Sequence, residues 1–248
     1  QVYNVVKNIS KYINKYKIII TKSTVPVTTG DSIEKLISQR KNNKLFEVVS
    51  NPEFLREGEA IRDFMYPDRI VVGSNSNKAN NVIRNLYDPL IKRGCRYLNT
   101  SRRSAELIKY ASNAFLATKI SYINEISNLC EKIDVSVEDI SIGMGLDQRI
   151  GSRFLRAGPA YGGSCFPKDT KALLETAKKN KINLSIIKST IQSNEKRYQI
   201  LFDKIKKIMK HKISKKKITF LGVTFKANTD DMRQSPSLKL IPKLNRVG

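Results

Sequence analysis

Lys17-Ile18-Ile19-Ile20-Thr21-Lys22-Ser23-Thr24-Val25-Pro26-Val27 joins a β-branched apolar run to a polar exit punctuated by proline. The run is short and uninterrupted, as in a strand buried on both faces. Working outward, residues 46–50 (Phe-Glu-Val-Val-Ser) and 69–73 (Arg-Ile-Val-Val-Gly) repeat that signature. Helical spacing falls between and after them, through Ile33, Leu36 and Ile37 in residues 30–39 and again over 81–90. Alternating strands and helices over the first hundred residues predict a parallel sheet covered by helices. In such sheets the chemistry gathers at the carboxyl ends of the strands. Residues 22–27 and the segment Asn51-Pro52-Glu53-Phe54-Leu55-Arg56-Glu57-Gly58 each follow a strand directly, so both are expected on one edge.

The 248 residues, 40% of them hydrophobic, suffice for one large domain or two ordinary ones. No stretch approaches the roughly 18 uninterrupted apolar residues of a membrane span. Cys95, Cys130 and Cys165 are too scattered for a disulfide framework or a zinc cluster, which suits a reducing cytoplasm. His211 is the only histidine, so a Ser-His-Asp triad and a multi-histidine metal site are both excluded, and no metal is expected. Any general base must be a carboxylate, a lysine or a cysteine. The formal charge of +24 raises the possibility of nucleic-acid binding. The lysines are spread along the whole chain with no recognisable nucleic-acid module, however. Compositional bias toward Lys, Asn and Ile is the preferred explanation, and a basic surface also attracts an anionic nucleotide.

From 104 to 133 the apolar positions Ile108, Ala111, Phe115, Tyr122, Ile126, Leu129 and Ile133 recur at steps of mostly three or four. They predict one long amphipathic helix, able to link two domains or form a subunit contact. Lys109 and Asn113 lie four apart and so share one side of it. Further helical turns are expected over 137–142, 170–179 and 184–209. Residues 217–222 read as a strand entering a new α/β unit, which reaches one more helix before Gly248. Residues 204–217 hold eight lysines and no acid. With Leu201, Phe202, Ile205, Ile208 and Met209 at helical spacing, they read as a basic amphipathic helix docked by its apolar side. Gly143-Met144-Gly145-Leu146-Asp147-Gln148 lacks the third glycine of a dinucleotide fingerprint and follows no strand.

The expected fold is therefore α/β: the second half of a Rossmann-like parallel-sheet domain over 1–100, a long central helix with a helical middle domain over 101–212, and the beginning of a second α/β domain over 213–248. The chain opens at Gln1 in what reads as mid-helix, so a natural start upstream is expected. The final unit is expected to be truncated.

The run Gly158-Pro159-Ala160-Tyr161-Gly162-Gly163-Ser164-Cys165-Phe166-Pro167-Lys168-Asp169 carries the chemistry. Glycines ahead of Cys165 let a substrate approach its sulfur. Lys168 adds a cation that favours thiolate, and Asp169 an acid that can share protons. An isolated cysteine near a turn is more often structural. Here the glycines and the Lys168-Asp169 pair favour a nucleophile.

This segment resembles the catalytic-cysteine loop of the UDP-glucose 6-dehydrogenases, in the UDP-glucose/GDP-mannose dehydrogenase family. Four more segments resemble the family in its own order: Ser23-Thr24-Val25-Pro26; residues 51–58 with Pro67-Asp68-Arg69; Lys109 through Asn113 into Ala114-Phe115-Leu116-Ala117; and Gly222-Val223-Thr224-Phe225-Lys226 with Asp231-Met232-Arg233. Together they span nearly the whole chain. The family's phosphate-binding first half and most of its uridine-gripping last domain are missing from it.

The resemblance implies oxidation of the C6 alcohol of UDP-glucose to UDP-glucuronate with two NAD+. The aldehyde is trapped by Cys165 as a thiohemiacetal that becomes a thioester. Lys109 and Asn113 would stabilise the oxyanion, with Lys109 also a candidate proton acceptor. Thr24 would hold the hydrolytic water, with Glu53 as base and Asp169 assisting. Ser23, Thr24, Glu57, Lys168 and Arg233 are the implied NAD contacts. Glu53, Phe54, Leu55, Lys109, Asn113, Phe154, Tyr161, Gly162 and Lys226 are the implied UDP-sugar contacts, and Arg149 would reach the substrate of a partner subunit in a homodimer or higher homo-oligomer. Three other readings stay open: a relative acting on UDP-N-acetylmannosamine or GDP-mannose, a non-catalytic remnant, and a basic nucleic-acid-binding protein. Read from the residues alone, Thr24 is also compatible with a strand-end cap, Glu53 and Glu57 with a solvated helix start, and Lys109 with a surface lysine.

Overall fold

β-Branched side chains fit a pleated surface, and the isoleucine run forms strand β1 (Lys17–Thr21); it lies at the sheet edge, half-buried with Ile20 exposed, rather than buried on both faces as expected. The computed structural model describes residues 1–214 and 216–247; Lys215, inside the basic run, and Gly248, at the end of the expected final unit, lie outside the described residues. Helix α1 (Val2–Lys11) precedes β1, and helix α2 (Thr29–Ser38) leads to β2 (Phe46–Ser50). β1 and β2 pair in parallel, from Lys17 opposite Phe46 to Thr21 opposite Ser50. Successive residues of β2 face opposite sides, so Val48 joins a core with Val6, Ile13, Ile33 and Ile37 while Val49 joins another with Ile70, Val72, Ala79 and Ile83.

After β2 the chain departs from the expected pattern. Residues 51–68 contain only the short helix α3 (Ala60–Met65), and β3 (Arg69–Ser74) pairs antiparallel with β2, Val49 opposite Ser74 and Ser50 opposite Gly73. A parallel pair needs a crossover that returns the chain to the opposite edge; this segment turns back at the edge where β2 ends. The helix expected over 81–90 begins earlier and is split into α4 (Asn77–Leu86) and α5 (Asp88–Ile91), with Ser76 accepting the Ala79 amide at the first N-cap. A fourth strand, β4 (Arg96–Thr100), pairs parallel with β3. Its Arg-Tyr-Leu-Asn-Thr sequence lacks an apolar run because it is a largely exposed edge strand.

Helix α6 (Arg102–Ile133) is the long helix, but its buried face is not the one the large apolar residues marked. Phe115, Tyr122, Leu129 and Ile133 are exposed, while Ala105, Tyr110, Ala114, Ala117, Ile123 and Cys130 are buried with Ser121, Asn124 and Ser127. Small residues let neighbouring backbone approach closely, so packing selected them over the bulkier stripe.

The chain divides into two compact units, 1–110 and 111–248. In the second, α7 (Val137–Gly145) absorbs Gly143 and Gly145 into a helix, and α8 (Phe166–Lys179) and α9 (Ser185–Ile208) follow. α9 ends before most of the lysine run, so the basic helix is shorter than expected. Phe202 packs with Ile213, Leu240 and Leu244, with Leu201, Ile205 and Met209 alongside, whereas Ile208 is exposed. Residues 217–222 form no strand, since a lone segment finds no partner ladder here; Ile218 and Phe220 pack against the same cluster instead. Helix α10 (Pro236–Asn245) is the last element.

Candidate active site

The parallel β1–β2 pair brings the first two motif segments to one edge of unit 1, as the strand order requires. The ladder runs one step past the strands, with the Asn51 amide donating to the Thr21 carbonyl at 2.9 Å. Asn51 is buried and donates its Nδ2 to the Val71 carbonyl at 2.8 Å, while its Oδ1 accepts from Tyr87 at 2.6 Å and Lys22 at 3.1 Å. Beyond this knot Ser23 is exposed, and Thr24, Glu53, Phe54, Leu55 and Glu57 are half-buried. Residues 51–58 are irregular, which removes the helix-start alternative for Glu53 and Glu57.

Lys109 is 3% exposed, which rules out a surface lysine. Its ammonium donates to the Glu53 carbonyl at 2.6 Å and lies 3.3 Å from Glu53 Oε1 and 5.2 Å from the centre of the Phe54 ring. The other Glu53 oxygen accepts the Leu55 amide at 2.6 Å. A buried cation, a carboxylate with one oxygen facing it and an aromatic face thus meet at one point. Such a pair can hold or pass a proton.

The entry of α6 is held by a group that sequence reasoning missed. Glu106 is 3% exposed and accepts from the Thr28 amide at 2.7 Å, the Gly30 amide at 2.8 Å and the Ser50 hydroxyl at 2.9 Å. Burial holds its carboxyl above the usual carboxylate range, although all three donors pull the other way. One turn earlier, Arg102 pairs with Asp31 at 2.9 Å and with Glu34. An acid three residues ahead of Lys109, on the same side of the helix, was the available signal. Gly73 permits this packing: a Cβ there would sit 2.7 Å from Ala105 Cβ and from the Arg102 backbone.

In unit 2, Cys165 is the N-cap residue of α8, with Pro167 in the first turn. Its sulfur is 3.6 Å from the Ser164 hydroxyl, and its carbonyl accepts the Asp169 amide at 2.8 Å. Asp169 is fully buried one turn along, where its Oδ2 accepts from Asn113 at 2.6 Å. The Lys168 ammonium reaches Asp169 Oδ1 at 3.7 Å from a side chain 60% exposed, so its neighbour is the aspartate. Phe166 is flanked by Phe154, centroids 6.0 Å apart, and edge-on by Tyr161 at 6.2 Å. Burial pushes the Tyr161 phenol up to about 12.

The segment 223–235 closes over the glycines of this loop. The Gly163 amide donates to the Arg233 carbonyl at 2.9 Å, and Gly163 has φ 79°. A Cβ on it would lie 2.6 Å from the Phe225 ring, and one on Gly162 would lie 2.4 Å from the Gln234 carbonyl oxygen. Arg233 is exposed and forks onto Asp231 at 2.8–3.0 Å. Lys226 is exposed. Arg149 is exposed and paired with Asp147 at 2.6 Å. Unit 1 thus gathers Glu53, Phe54, Leu55 and Lys109, and unit 2 gathers Asn113, Phe154, Tyr161, Gly162, Cys165, Lys168, Asp169 and Arg233.

A dinucleotide fits this chain in part. Exposed Ser23 and half-buried Thr24 follow a parallel strand, where such folds receive the cofactor. The N-terminus of α2 is no pyrophosphate cradle, because Glu106 occupies its Thr28 and Gly30 amides.

Three family models match the chain in order: the NAD binding domain (residues 1–91), the central domain (103–196) and the UDP binding domain (219–248) of the UDP-glucose/GDP-mannose dehydrogenase family. The UDP-glucose 6-dehydrogenase of Rickettsia felis is 48% identical over 241 residues, covering 97% of this chain and 53% of that protein. That of Rhizobium meliloti is 47% identical over 249 residues, covering 100% of this chain and 57% of that protein. A solved UDP-glucose dehydrogenase from Pyrobaculum islandicum superposes with TM-score 0.91 at 33% identity, over 100% of this chain and 57% of that one. The chain spans about half the length of the curated relatives it matches.

Proposed function

The chain belongs to the UDP-glucose/GDP-mannose dehydrogenase family, and from that premise we propose that it carries the reaction centre for oxidising UDP-glucose to UDP-glucuronate. Two NAD+ molecules, bound in turn, would each accept one hydride, one per oxidation. The protein's part is to move protons and to hold the carbon between them. In the first oxidation the C6 hydroxyl loses its proton to Lys109 as hydride leaves, giving an aldehyde. The Cys165 thiolate adds to the aldehyde carbon, and the resulting thiohemiacetal loses the second hydride to become a thioester. Asn113 and Lys109 donate to the oxygen on which charge develops. Water held by Thr24 and deprotonated by Glu53, with Asp169 assisting, then cleaves the C–S bond and returns the thiol and a carboxylate. Ser23, Glu57, Lys168 and Arg233 are assigned to the cofactor, and Phe54, Leu55, Phe154, Tyr161, Gly162 and Lys226 to the UDP-sugar.

The observation that carries this reading is Cys165 at the head of α8, one turn from a fully buried Asp169 that Asn113 holds at 2.6 Å. A structural cysteine needs neither the glycine loop nor a buried acid. Identity of 47–48% to UDP-glucose enzymes favours glucose over the related sugars. We further assign a homo-oligomer in the cytoplasm. The exposed Phe115, Tyr122 and Leu129 of α6 support the first, and three free thiols support the second. The test is NADH formation with UDP-glucose, UDP-N-acetylmannosamine and GDP-mannose in parallel. UDP-glucose should be preferred, and Cys165→Ala should abolish turnover. Preference for another sugar, or full turnover without Cys165, would overturn the assignment.

A further inference from the structure

Residues 156–163, which lead to Cys165, have no regular secondary structure, so their backbone polar groups need partners from elsewhere. Two residues of α9 supply them. Asn194, 7% exposed, accepts the Tyr161 amide at 2.9 Å and donates to the Tyr161 carbonyl at 3.1 Å, serving one residue as a neighbouring strand would. Arg197, 8% exposed, donates to the Gly158 carbonyl at 3.1 Å, to the Asn124 carbonyl at 3.2 Å and to Asn128 Oδ1. Asn124 Oδ1 accepts the Gly158 amide at 2.8 Å and completes the frame.

Arg197 is the telling member. The hydrogen bonds it makes here all go to neutral oxygens, and burial lowers its guanidinium pKa while Glu131 pulls the other way without a hydrogen bond to it. Burying a cation whose hydrogen bonds go to neutral oxygens costs stability that an apolar side chain would not. A helix needing only to pack would not carry it. What this cluster holds is a loop whose far end carries the nucleophile, through Tyr161 edge-on to Phe166, the residue after Cys165. We propose that Asn194 and Arg197 are positioning residues that fix the 158–164 loop and, through it, the place of the Cys165 sulfur. The idea rests on Cys165 being the nucleophile only for its importance to catalysis. The geometry it predicts is measurable without turnover.

The decisive variant is Asn194→Asp. A protonated carboxylic acid keeps one donor and one acceptor and reproduces the amide's pair on Tyr161, whereas a carboxylate leaves the Tyr161 carbonyl facing negative charge. The charged or titratable groups around it are Tyr161, Lys171, Glu195, Arg197, Tyr198 and Lys239. Iodoacetamide labelling of Cys165 is followed by peptide mass spectrometry from acid to neutral pH, each rate divided by that of the parent protein at the same pH. Cys95 is the internal control. At neutral pH the Cys165 ratio should rise by about tenfold, what losing one buried hydrogen bond does to a conformational equilibrium. It should return toward one on acidification, with Cys95 unmoved. A Cys165 ratio of one at every pH in the folded variant, or a Cys95 rate that rises equally, overturns the proposal. If Asn194→Asp does not fold at neutral pH, Arg197→Lys decides the matter. Lys keeps the charge but has a single nitrogen in place of the fork that reaches the Gly158 carbonyl from Nε and the Asn124 carbonyl from Nη1, so Cys165 labelling and amide exchange at 161–163 should both accelerate, and unchanged values overturn the proposal. Labelling needs neither substrate nor cofactor, so its failure leaves the dehydrogenase reading standing, and the reverse also holds.

Discussion

A buried carboxylate that titrates abnormally leaves a signature in stability, and Glu106 is the residue where that signature should be read. Its folded-state pKa is raised by burial, so the folded protein holds the proton more tightly than the unfolded chain. The stability tied to that proton is fully present below the ordinary glutamate range and is lost as pH rises through the raised value. In Glu106→Gln the titration is gone, and one of the Thr28, Gly30 and Ser50 donors faces an amide NH2 instead of an oxygen. That mismatch should cost about 1–3 kcal/mol. Denaturant melts at several pH values should show the gap between parent and variant widest at acid pH and narrowing as pH rises. A gap independent of pH would mean that Glu106 titrates normally. Its place three residues ahead of Lys109 was the one local signal, and a weak one, because an acid in a helical run reads as solvated until its neighbours in space are known.

At the scale of elements, the Gly162–Gly163 turn is the most constrained point in the second unit. Gly163→Ala places a Cβ 2.6 Å from the Phe225 ring at φ 79°. The left-handed conformation alone costs roughly 1–2 kcal/mol for a non-glycine residue. Adding Phe225→Ala should recover the steric part and leave that backbone cost, read as a partial return of the melting temperature. Full recovery, or none, would contradict this division. The glycines were legible in sequence as room for a substrate. That they also admit Phe225 and the Gln234 carbonyl was not, because those partners lie far along the chain. The same split holds for the elements. β2 and β3 were readable because buried strands are continuous apolar runs, and β1 because its β-branched run suits a strand even at a half-buried edge. β4 was not, being an exposed edge, and the antiparallel turn of β3 depends on the path of 51–68, which periodicity does not encode. On α6 the large apolar residues pointed to the wrong face, since close packing there favours alanine and serine.

At the scale of the whole molecule, the charge of +24 comes from lysines spread along the chain. Such a surface should bind DNA or RNA only through counterion release, with affinity falling steeply as salt rises and no sequence preference. Filter binding against a salt series checks this, and tight binding surviving physiological salt would revive the nucleic-acid reading. In the proposed reaction Cys165 carries the substrate through two oxidations and Glu53 serves the hydrolysis. This reaction is tested most directly by the intact mass and peptide map of Glu53→Gln after incubation with UDP-glucose and NAD+. An acyl adduct should accumulate on Cys165 while steady-state turnover collapses. Normal turnover with no adduct, or an adduct on Cys95 or Cys130, would contradict it.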